Sequence, residues 1–348
     1  MQTTGLWIHG MGLVSPLGDT ARATAAAVRA GISRRMRGSQ VDAEGEALVV
    51  APVPEAALPP LVAAVGEPRR ARLVRLATWA LREAAAGLSE GEAVPLLLAA
   101  PEGHPRAPAL DLAGVFAELA AQSGVALATN SRLVAPGRAG ALLGLADAYA
   151  MTEDPAAPLV LLGGVDSLLD PELLKLFERD RRTLAAGARD GFAAGEGAAF
   201  LLLSRRRVVG GSRASLLVNL PGAGHEDGHM YARAPHRGDG LAAAVADATR
   251  GCARGSIRTV YAGLNGEHYG AREWQVAALR SSEAFAGDAA VEHPGDCLGD
   301  PGAAFGPMLV VLAAVALANR VCAGPALVWA ASDGPQRAAV VVGAAGGE

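Results

Sequence analysis

Lysine is almost absent from this sequence of 348 residues: Lys175 is the only one, and arginine supplies every other basic side chain. Cysteine is also scarce, since the chain has only Cys252, Cys297 and Cys322. The three lie far apart, without the spacing of metal ligands or of a disulfide framework. This usage is expected of a chain that stays in a reducing cytoplasm.

Long apolar segments are missing, although hydrophobic residues make up 51% of the chain. No run reaches the ~18 residues that a membrane-spanning helix needs, and the first residues lack the basic region and apolar stretch of a signal peptide. The net charge of -4 gives no electrostatic reason to bind nucleic acid or an anionic membrane. We therefore expect a cytoplasmic globular protein with no membrane span and no nucleic-acid partner.

Short runs rich in Val and Leu alternate with long Ala-rich stretches, a pattern typical of buried parallel strands with helices packed around them. The predicted strands are Leu6–Gly10, Pro95–Ala100, Leu159–Leu162, Ala198–Leu203, Ser215–Asn219, Thr259–Ala262, Pro325–Ala330 and Arg337–Val342. The predicted helices are Thr20–Ala30, Arg70–Ala86, Leu110–Gly124, Arg138–Tyr149, Leu241–Gly251, Glu273–Ser281 and Gly306–Arg320.

The Arg- and Gly-rich stretch Arg205–Arg213 is interpreted as a connector between two comparable halves. Two βαβ-rich halves fit a five-layer αβαβα arrangement. Composition alone fits a doubly wound sheet with an appended domain equally well.

Four motifs decide between these alternatives. They are GMGLVSPLG at Gly10–Gly18, LLGGVD at Leu161–Asp166, RDGFAAGEGA at Arg189–Ala198 and HMYARAPHRGDG at His229–Gly240. Each resembles a segment of β-ketoacyl synthases, in the order of that family; the third matches the family's Arg-Asp-Gly-Phe-x-x-Gly-Glu-Gly-Ala almost letter for letter. The resemblance covers residues 6 to about 345. It implies a thiolase-like five-layer αβαβα fold of two pseudo-symmetric halves, 1–205 and 206–348.

Single residues of these motifs also have ordinary structural readings. Gly10 and Gly12 could serve any turn that needs positive φ. Asp166, Asp190 and Glu196 are interpreted as turn residues or contacts between the halves rather than as acid or base groups.

The resemblance fails at the residues that perform ketosynthase chemistry. Members of the family have a cysteine nucleophile at a helix N-terminus, where the dipole lowers its pKa, together with two histidines and a lysine. Laying the family's Ala-Cys-Ala-x-Gly-Ala over Ala135–Gly140 puts Pro136, which has neither thiol nor N–H, at the nucleophile position. Asn265 takes the first histidine position and Asp296 the second.

Two further parts of the site are altered. Lys175 lies in the other half and cannot replace the family's lysine, and Ser332–Pro335 stands where the family has a Gly-Phe-Gly-Gly gating loop. The resemblance therefore implies a preserved framework without an intact catalytic site. We predict that Pro136, Asn265 and Asp296 converge on one pocket floor.

A different chemistry remains an alternative. Cys297, His293 and Asp296 cluster in the sequence, and Glu267 is expected across from them. A Cys/His/Asp set can support nucleophilic acyl hydrolysis, but Cys297 could equally be a small buried hydrophobic residue. His268 could replace the first histidine only in a re-formed loop.

A metal site at His225, Glu226, Asp227 and His229 is the weaker alternative to a solvated loop. We therefore expect no metal and no other cofactor.

Three functional hypotheses follow. The first is a non-catalytic partner subunit, similar in logic to chain-length-factor subunits, which forms a homodimer or a heterodimer with a ketosynthase-like subunit through the strand Ala126–Asn130 or its neighbour. The second is a module that binds an acyl thioester or an acyl carrier protein. The third is an acyltransferase or thioesterase with a relocated nucleophile near Cys297.

Overall fold

The protein is described by a computed structural model that covers residues 5–154, 158–185, 190–207 and 216–344. The strands are β1 (Gly5–Val14), β2 (Met36–Val41), β3 (Ala47–Ala51), β4 (Leu96–Ala99), β5 (Arg132–Val134), β6 (Val160–Ser167), β7 (Ala194–Ser204), β8 (Leu216–Asn219), β9 (Gly222–His225), β10 (Ile257–Ala262), β11 (Phe285–Glu292), β12 (Ala326–Ala331) and β13 (Gln336–Ala344). The α-helices are α1 (Ala21–Arg29), α2 (Pro68–Ala84), α3 (Val115–Ser123), α4 (Gly140–Leu143), α5 (Leu145–Met151), α6 (Pro171–Arg179), α7 (Asp239–Thr249), α8 (His268–Arg280), α9 (Gly295–Leu298) and α10 (Phe305–Ala318).

Ten of the strands form two sheet sections with the same internal order. The first runs β1-β7-β6-β4-β5 and the second β8-β13-β12-β10-β11. In each section the first three strands are antiparallel neighbours and the last three are parallel neighbours. The sections join where β1 pairs with β8. This repeat confirms the two pseudo-symmetric halves. The division at residues 205 and 206 remains a proposal, because most of the expected connector, residues 208–215, lies outside the described ranges.

Helices cover both outer faces of the sheet sections and fill the space between them. Helices α2 and α3 pack with the outer core of the first section, and α7 and α8 with that of the second. Helix α10 lies between them and contacts strands of both sections. Its residues from Phe305 to Val315 are buried on all sides, as expected of a helix without a polar face. The layers confirm the αβαβα arrangement.

The first motif packs differently from an ordinary turn. Gly10 and Gly12 lie inside β1, which continues to Val14. A Cβ atom would lie 2.0 Å from the carbonyl oxygen of Ala84 at Gly10, and 1.9 Å from that of Ala80 at Gly12. The glycines therefore allow α2 to approach β1 closely and are not needed for positive φ.

All eight predicted strands lie within or overlap observed ones, but β2, β3, β5, β9 and β11 were not predicted. The predicted helix Leu110–Gly124 begins only at Val115, after Gly114 with φ +79°. The predicted helix Arg138–Tyr149 is divided at Gly144 into α4 and α5. The strand expected at Ala126–Asn130 is reduced to an isolated bridge between Leu127 and Val94. Its neighbour β5 forms the edge instead.

None of the helices in the described ranges is both long and apolar enough to span a bilayer.

Candidate functional site

Four segments meet near the start of α10, where the resemblance puts the ketosynthase active site. They are residues 136–139 before α4, 263–267 after β10, 299–304 before α10, and 332–335 between β12 and β13. Hydrogen bonds join them directly. The Asn265 amide donates to Asp300 at 2.9 Å, and the Ala139 N–H donates to the Ser332 hydroxyl at 3.2 Å.

Arg138 is the first of two buried arginines in this region. Its Nε donates to both carboxylate oxygens of Asp300 at 3.0 Å, and its Nη2 also donates to that carboxylate. Its Nη1 donates to Asp333 at 2.8 Å. Burial alone would lower the pKa of Arg138, but the charges of Asp300 and Asp333 raise it well above its ordinary value. The guanidinium therefore stays charged and joins two of the segments.

Arg182 is the second buried arginine, and it comes from the segment after α6. It forms a bidentate pair with Glu267, with distances of 2.7 and 2.9 Å. It also donates to both oxygens of Asp333 at 2.7 and 2.8 Å, and to the Tyr231 hydroxyl at 2.7 Å. Planar guanidinium groups suit such bidentate contacts. Arg138 and Arg182 thus share Asp333.

Glu102 holds the loop that carries Asp333. Its carboxylate accepts hydrogen bonds from the backbone N–H groups of Asp333 at 2.9 Å and Gly334 at 2.7 Å. Burial, and next the charge of Asp333, raise the pKa of Glu102 above its ordinary value. We call the connected side chains the arginine network: Glu102, Arg138, Arg182, Tyr231, Asn265, Glu267, Asp300 and Asp333.

Little space remains around the arginine network. The cavity beside Asn265, Glu267 and Asp333 has a volume of about 20 Å³. This is enough for about one water molecule, whereas pockets for small-molecule ligands measure ~300–1,000 Å³. Ion pairs therefore fill the region in which the resemblance puts the reacting groups of a ketosynthase.

The charge of Asp333 makes the stability of the fold depend on pH. Burial alone would raise the pKa of this carboxyl group, but Arg138 and Arg182 hold it well below its usual range. A carboxyl group with a lowered native pKa stabilises the fold above its unfolded pKa of ~3.9, and this contribution is lost as pH falls through the native pKa.

We therefore expect Asp333→Asn to lower the free energy of unfolding at neutral pH, with a deficit that shrinks only below about pH 4. Urea unfolding measured from pH 7 downwards checks this. Asp288→Asn is the control, because Asp288 forms an exposed pair with Arg258 and should have a small effect throughout. A deficit that does not change with pH would contradict the role of the Asp333 charge.

The three predicted triad positions differ in their contacts and exposure. Asn265 lies in the arginine network, as described above. Pro136 is exposed before the start of α4, and its carbonyl oxygen accepts a 3.5 Å hydrogen bond from Ser332. The Asp296 side chain is 76% exposed and pairs with Arg35 at 3.2 Å. The expectation that Asp296 lies on the pocket floor is thus corrected, since Asp300 is the carboxylate that contacts Asn265.

A signal for Asp300 was present in the sequence. Residues 299–304 read GDPGAA, which resembles the family's Gly-His-x-x-Gly-Ala-Ala with one residue removed. Laid this way, the pattern puts Asp300, rather than Asp296, at the second histidine position. Sequence reasoning missed Arg138, Arg182, Glu102 and Asp333 as partners, because no family residue of that kind marks these positions.

The residues proposed for relocated chemistry are dispersed. Cys297 is buried, and burial, followed by the charge of Asp296, raises the pKa of its thiol. His293 is exposed, and the described part of the chain contains no hydrogen bond between it and Cys297. His268 is exposed beside Asp190, and Glu267 is bound to Arg182. A thiol with a raised pKa and no adjacent base is a poor nucleophile.

The acidic motif residues make structural contacts. Glu196 is fully buried and accepts hydrogen bonds from Arg72, Ser167 and the backbone of Val53. Asp166 pairs with Arg69 and accepts from the Ala303 N–H, which comes from the other half. Asp190 accepts from the His268 N–H at 2.8 Å. Arg189, the first residue of that motif, lies outside the described ranges.

No protein-family model and no curated protein sequence matches this chain. Solved structures do. The ishigamide ketosynthase/chain length factor superposes with a TM-score of 0.72 at 22% identity, over 98% of this chain and 100% of that one. The oxazolomycin ketosynthase domain of Streptomyces albus JA3453 gives a TM-score of 0.78 at 14% identity, over 99% of this chain and 75% of that one. This chain has the thiolase-like fold of ketosynthases.

A third ketosynthase-fold structure is a complex. It is a ketosynthase with its chain length factor from Xenorhabdus doucetiae, with a TM-score of 0.73 at 16% identity over 98% of both chains. At these identities the likeness establishes the fold, and the activity of a ketosynthase-fold chain has to be argued from its site.

Proposed function

We propose that this chain is a non-catalytic ketosynthase-like subunit that acts by associating with a second chain of the same fold. The observation that carries the proposal is the arginine network, which occupies the expected catalytic centre. Arg138 and Asp300 are buried there and bind each other. Condensation needs a thiolate, a pair of oxyanion donors and room for an acyl chain, and this centre offers none of the three among its described residues.

The nucleophile position supports the same conclusion. Pro136 supplies no thiol, and it supplies no N–H for an oxyanion hole. At the histidine positions, Asn265 and Asp300 are bound to each other and to the network. A carboxylate at this place would repel the enolate or oxyanion that a histidine stabilises.

The structural neighbours suggest what kind of chain the partner is. One neighbour is named as a ketosynthase/chain length factor, and another is a ketosynthase in complex with its chain length factor. By analogy, a homodimer or a heterodimer with a ketosynthase-like chain is the proposed assembly. The cavity of about 20 Å³ speaks against an acyl chain held at the expected catalytic centre, and the raised pKa of Cys297 speaks against an acyltransferase.

Thioester labelling tests the absence of catalysis. After incubation with malonyl and acyl thioesters, we expect no specific acyl adduct on the wild-type chain, as measured by intact mass. Pro136→Cys should also remain inactive, because Asn265 and Asp300 are unchanged and catalytic groups act as a unit. Peptide mapping should show residue 136 labelled no faster than the background at Cys252 and Cys322.

An active ketosynthase serves as the positive control for this experiment. Labelling of the wild-type chain that Cys297→Ser abolishes would overturn the proposal and support the acyltransferase alternative. Condensation product from Pro136→Cys would show that the arginine network leaves the centre open.

A further inference from the structure

A second buried polar cluster lies in the second half, next to the arginine network: Glu273 lines the same small cavity as Asn265, Glu267 and Asp333. It consists of Glu226, which follows β9, His236, which precedes α7, and Glu273 on α8. One imidazole nitrogen and one oxygen of each carboxylate all lie within 4.8 Å of one another. Two carboxylates and an imidazole are a common set of metal ligands.

Two atoms of this cluster have no hydrogen-bond partner. Glu273 is fully buried; its Oε1 accepts from Arg337 at 2.5 Å, whereas its Oε2 has no partner within the described ranges. The Nε2 atom of His236 is likewise enclosed and unpartnered there. Buried polar atoms are hydrogen-bonded in the large majority of cases. Two exceptions in one cluster of ligand-type residues therefore call for an explanation.

The surroundings hold these side chains in place. The Glu226 carboxylate accepts from the N–H groups of Gly240 at 3.0 Å and Gly228 at 3.3 Å. The His236 ring stacks on Tyr269, with the centroids 3.9 Å apart and the planes at 18°.

The charge balance also favours a cation. The fully buried Arg337 pairs with Glu273, whereas Glu226 forms no ion pair within the described ranges. A divalent cation would compensate the negative charge of the second carboxylate. The unpartnered atoms of Glu273 and His236 would be its ligands. The ligand spacing is wide for zinc, whose bonds measure ~2.0–2.2 Å, so that a small inward movement of the side chains would complete the site.

We propose that Glu226, His236 and Glu273 bind a divalent first-row transition metal ion, with Zn²⁺ as the reference case. The imidazole ligand distinguishes this site from Mg²⁺ and Ca²⁺ sites, which use oxygen ligands. The ion would join the segment before α7 to α8 and so fix the outer helices of the second half. This role does not depend on the proposed function of the chain.

The cluster differs from the metal site considered for the sequence. Of that set, only Glu226 belongs to it. His225 and Asp227 form an exposed pair at 3.4 Å on the surface, as expected of a solvated loop.

Metal binding is tested on the full chain without an affinity tag, after treatment with a chelator. We expect one equivalent of Zn²⁺ by competition with a chromophoric chelator, a higher melting temperature in its presence, and no such effect with Mg²⁺. The Co²⁺-loaded protein should show d–d absorption without a thiolate charge-transfer band, which excludes Cys252, Cys297 and Cys322 as ligands.

His236→Phe keeps an aromatic ring on Tyr269 but removes the ligand, so it should weaken Zn²⁺ binding at least tenfold. His225→Phe is the matched control and should bind like the wild type. Absence of stoichiometric binding by the wild-type chain would overturn the proposal irrespective of how the variants fold. Equal weakening by both variants, or a thiolate band with Co²⁺, would also overturn it.

Discussion

Replacing Asp300 with asparagine is expected to lower the free energy of unfolding by about 3–5 kcal/mol. The reason is that Arg138 keeps its positive charge and its buried position but loses the carboxylate that holds it from two sides. Arg138 would then depend on Asp333, which it shares with Arg182, and a buried charge with too little compensation costs far more than the ion pair contributes as a whole. Equilibrium urea unfolding at a fixed protein concentration measures the effect.

Asp296→Asn is the matched control, because it removes the same charge in the same stretch of chain. Asp296 is exposed and pairs with Arg35 at the surface, where such pairs contribute ~0–1 kcal/mol. Similar small losses for both variants would contradict the assignment of Asp300, rather than Asp296, to the buried centre. A larger loss for Asp296→Asn would contradict it outright.

A lysine at Leu133 is expected to convert the associated protein into monomers. Leu133 is 42% exposed on β5, the outermost strand of the first sheet section, which pairs with β4 on its other side. The charged residue of β5, Arg132, is paired with Asp147, so that Leu133 is left as the exposed apolar side chain of an edge that can pair with another chain. An interface formed there should belong to the obligate class, which buries ~2,000 Å² or more. Light scattering of Leu133→Lys should show half the wild-type mass.

Val291→Lys is the control for this prediction. Val291 is 38% exposed on β11, the outermost strand of the second section, so the same charge is added at the opposite edge and the mass should not change. A charge at Leu127 is a poorer test, because Leu127 packs against the outer core of the first section.

Three results would contradict pairing at β5. They are dissociation by Val291→Lys alone, an unchanged mass for Leu133→Lys where the purified wild-type chain is oligomeric, and a wild-type chain that is monomeric both when purified and in extracts of its native host. If the purified chain is monomeric but assembles in the extract, the partner is a different protein, and Leu133→Lys should prevent its capture.

How much the sequence predicts depends on whether the signal is local. Helix α10 was predicted because its apolar run is continuous. Asn265 was singled out because the segment after the predicted strand Thr259–Ala262 stands where the family has its first histidine. Strand β11 was missed because its sequence, FAGDAAVE, is short of large apolar residues and largely exposed. It is a strand because it pairs with β10, which is a tertiary effect.

The arginine network shows how far the site can be predicted from the sequence. Arg138 lies 162 residues from Asp300, and Arg182 lies 151 residues from Asp333. No local pattern indicates such pairs. The family pattern names segments for the expected centre, but it does not indicate which charged groups they bring together. Asp296 and Asp300 are both aspartates after a glycine, and only the fold distinguishes the exposed one from the buried one.

The sharing of Asp333 between two arginines bears on the ancestry of this chain. A related chain with an open pocket at this place would have to lack Arg138, Arg182 and their carboxylates. Each single loss would leave a buried charge without its partner, at about 3–5 kcal/mol, out of a total stability of ~5–15 kcal/mol. Intermediates between the two sequences would barely fold. We therefore expect the residues of the arginine network to be kept or replaced together in related sequences, whereas surface residues can change one at a time.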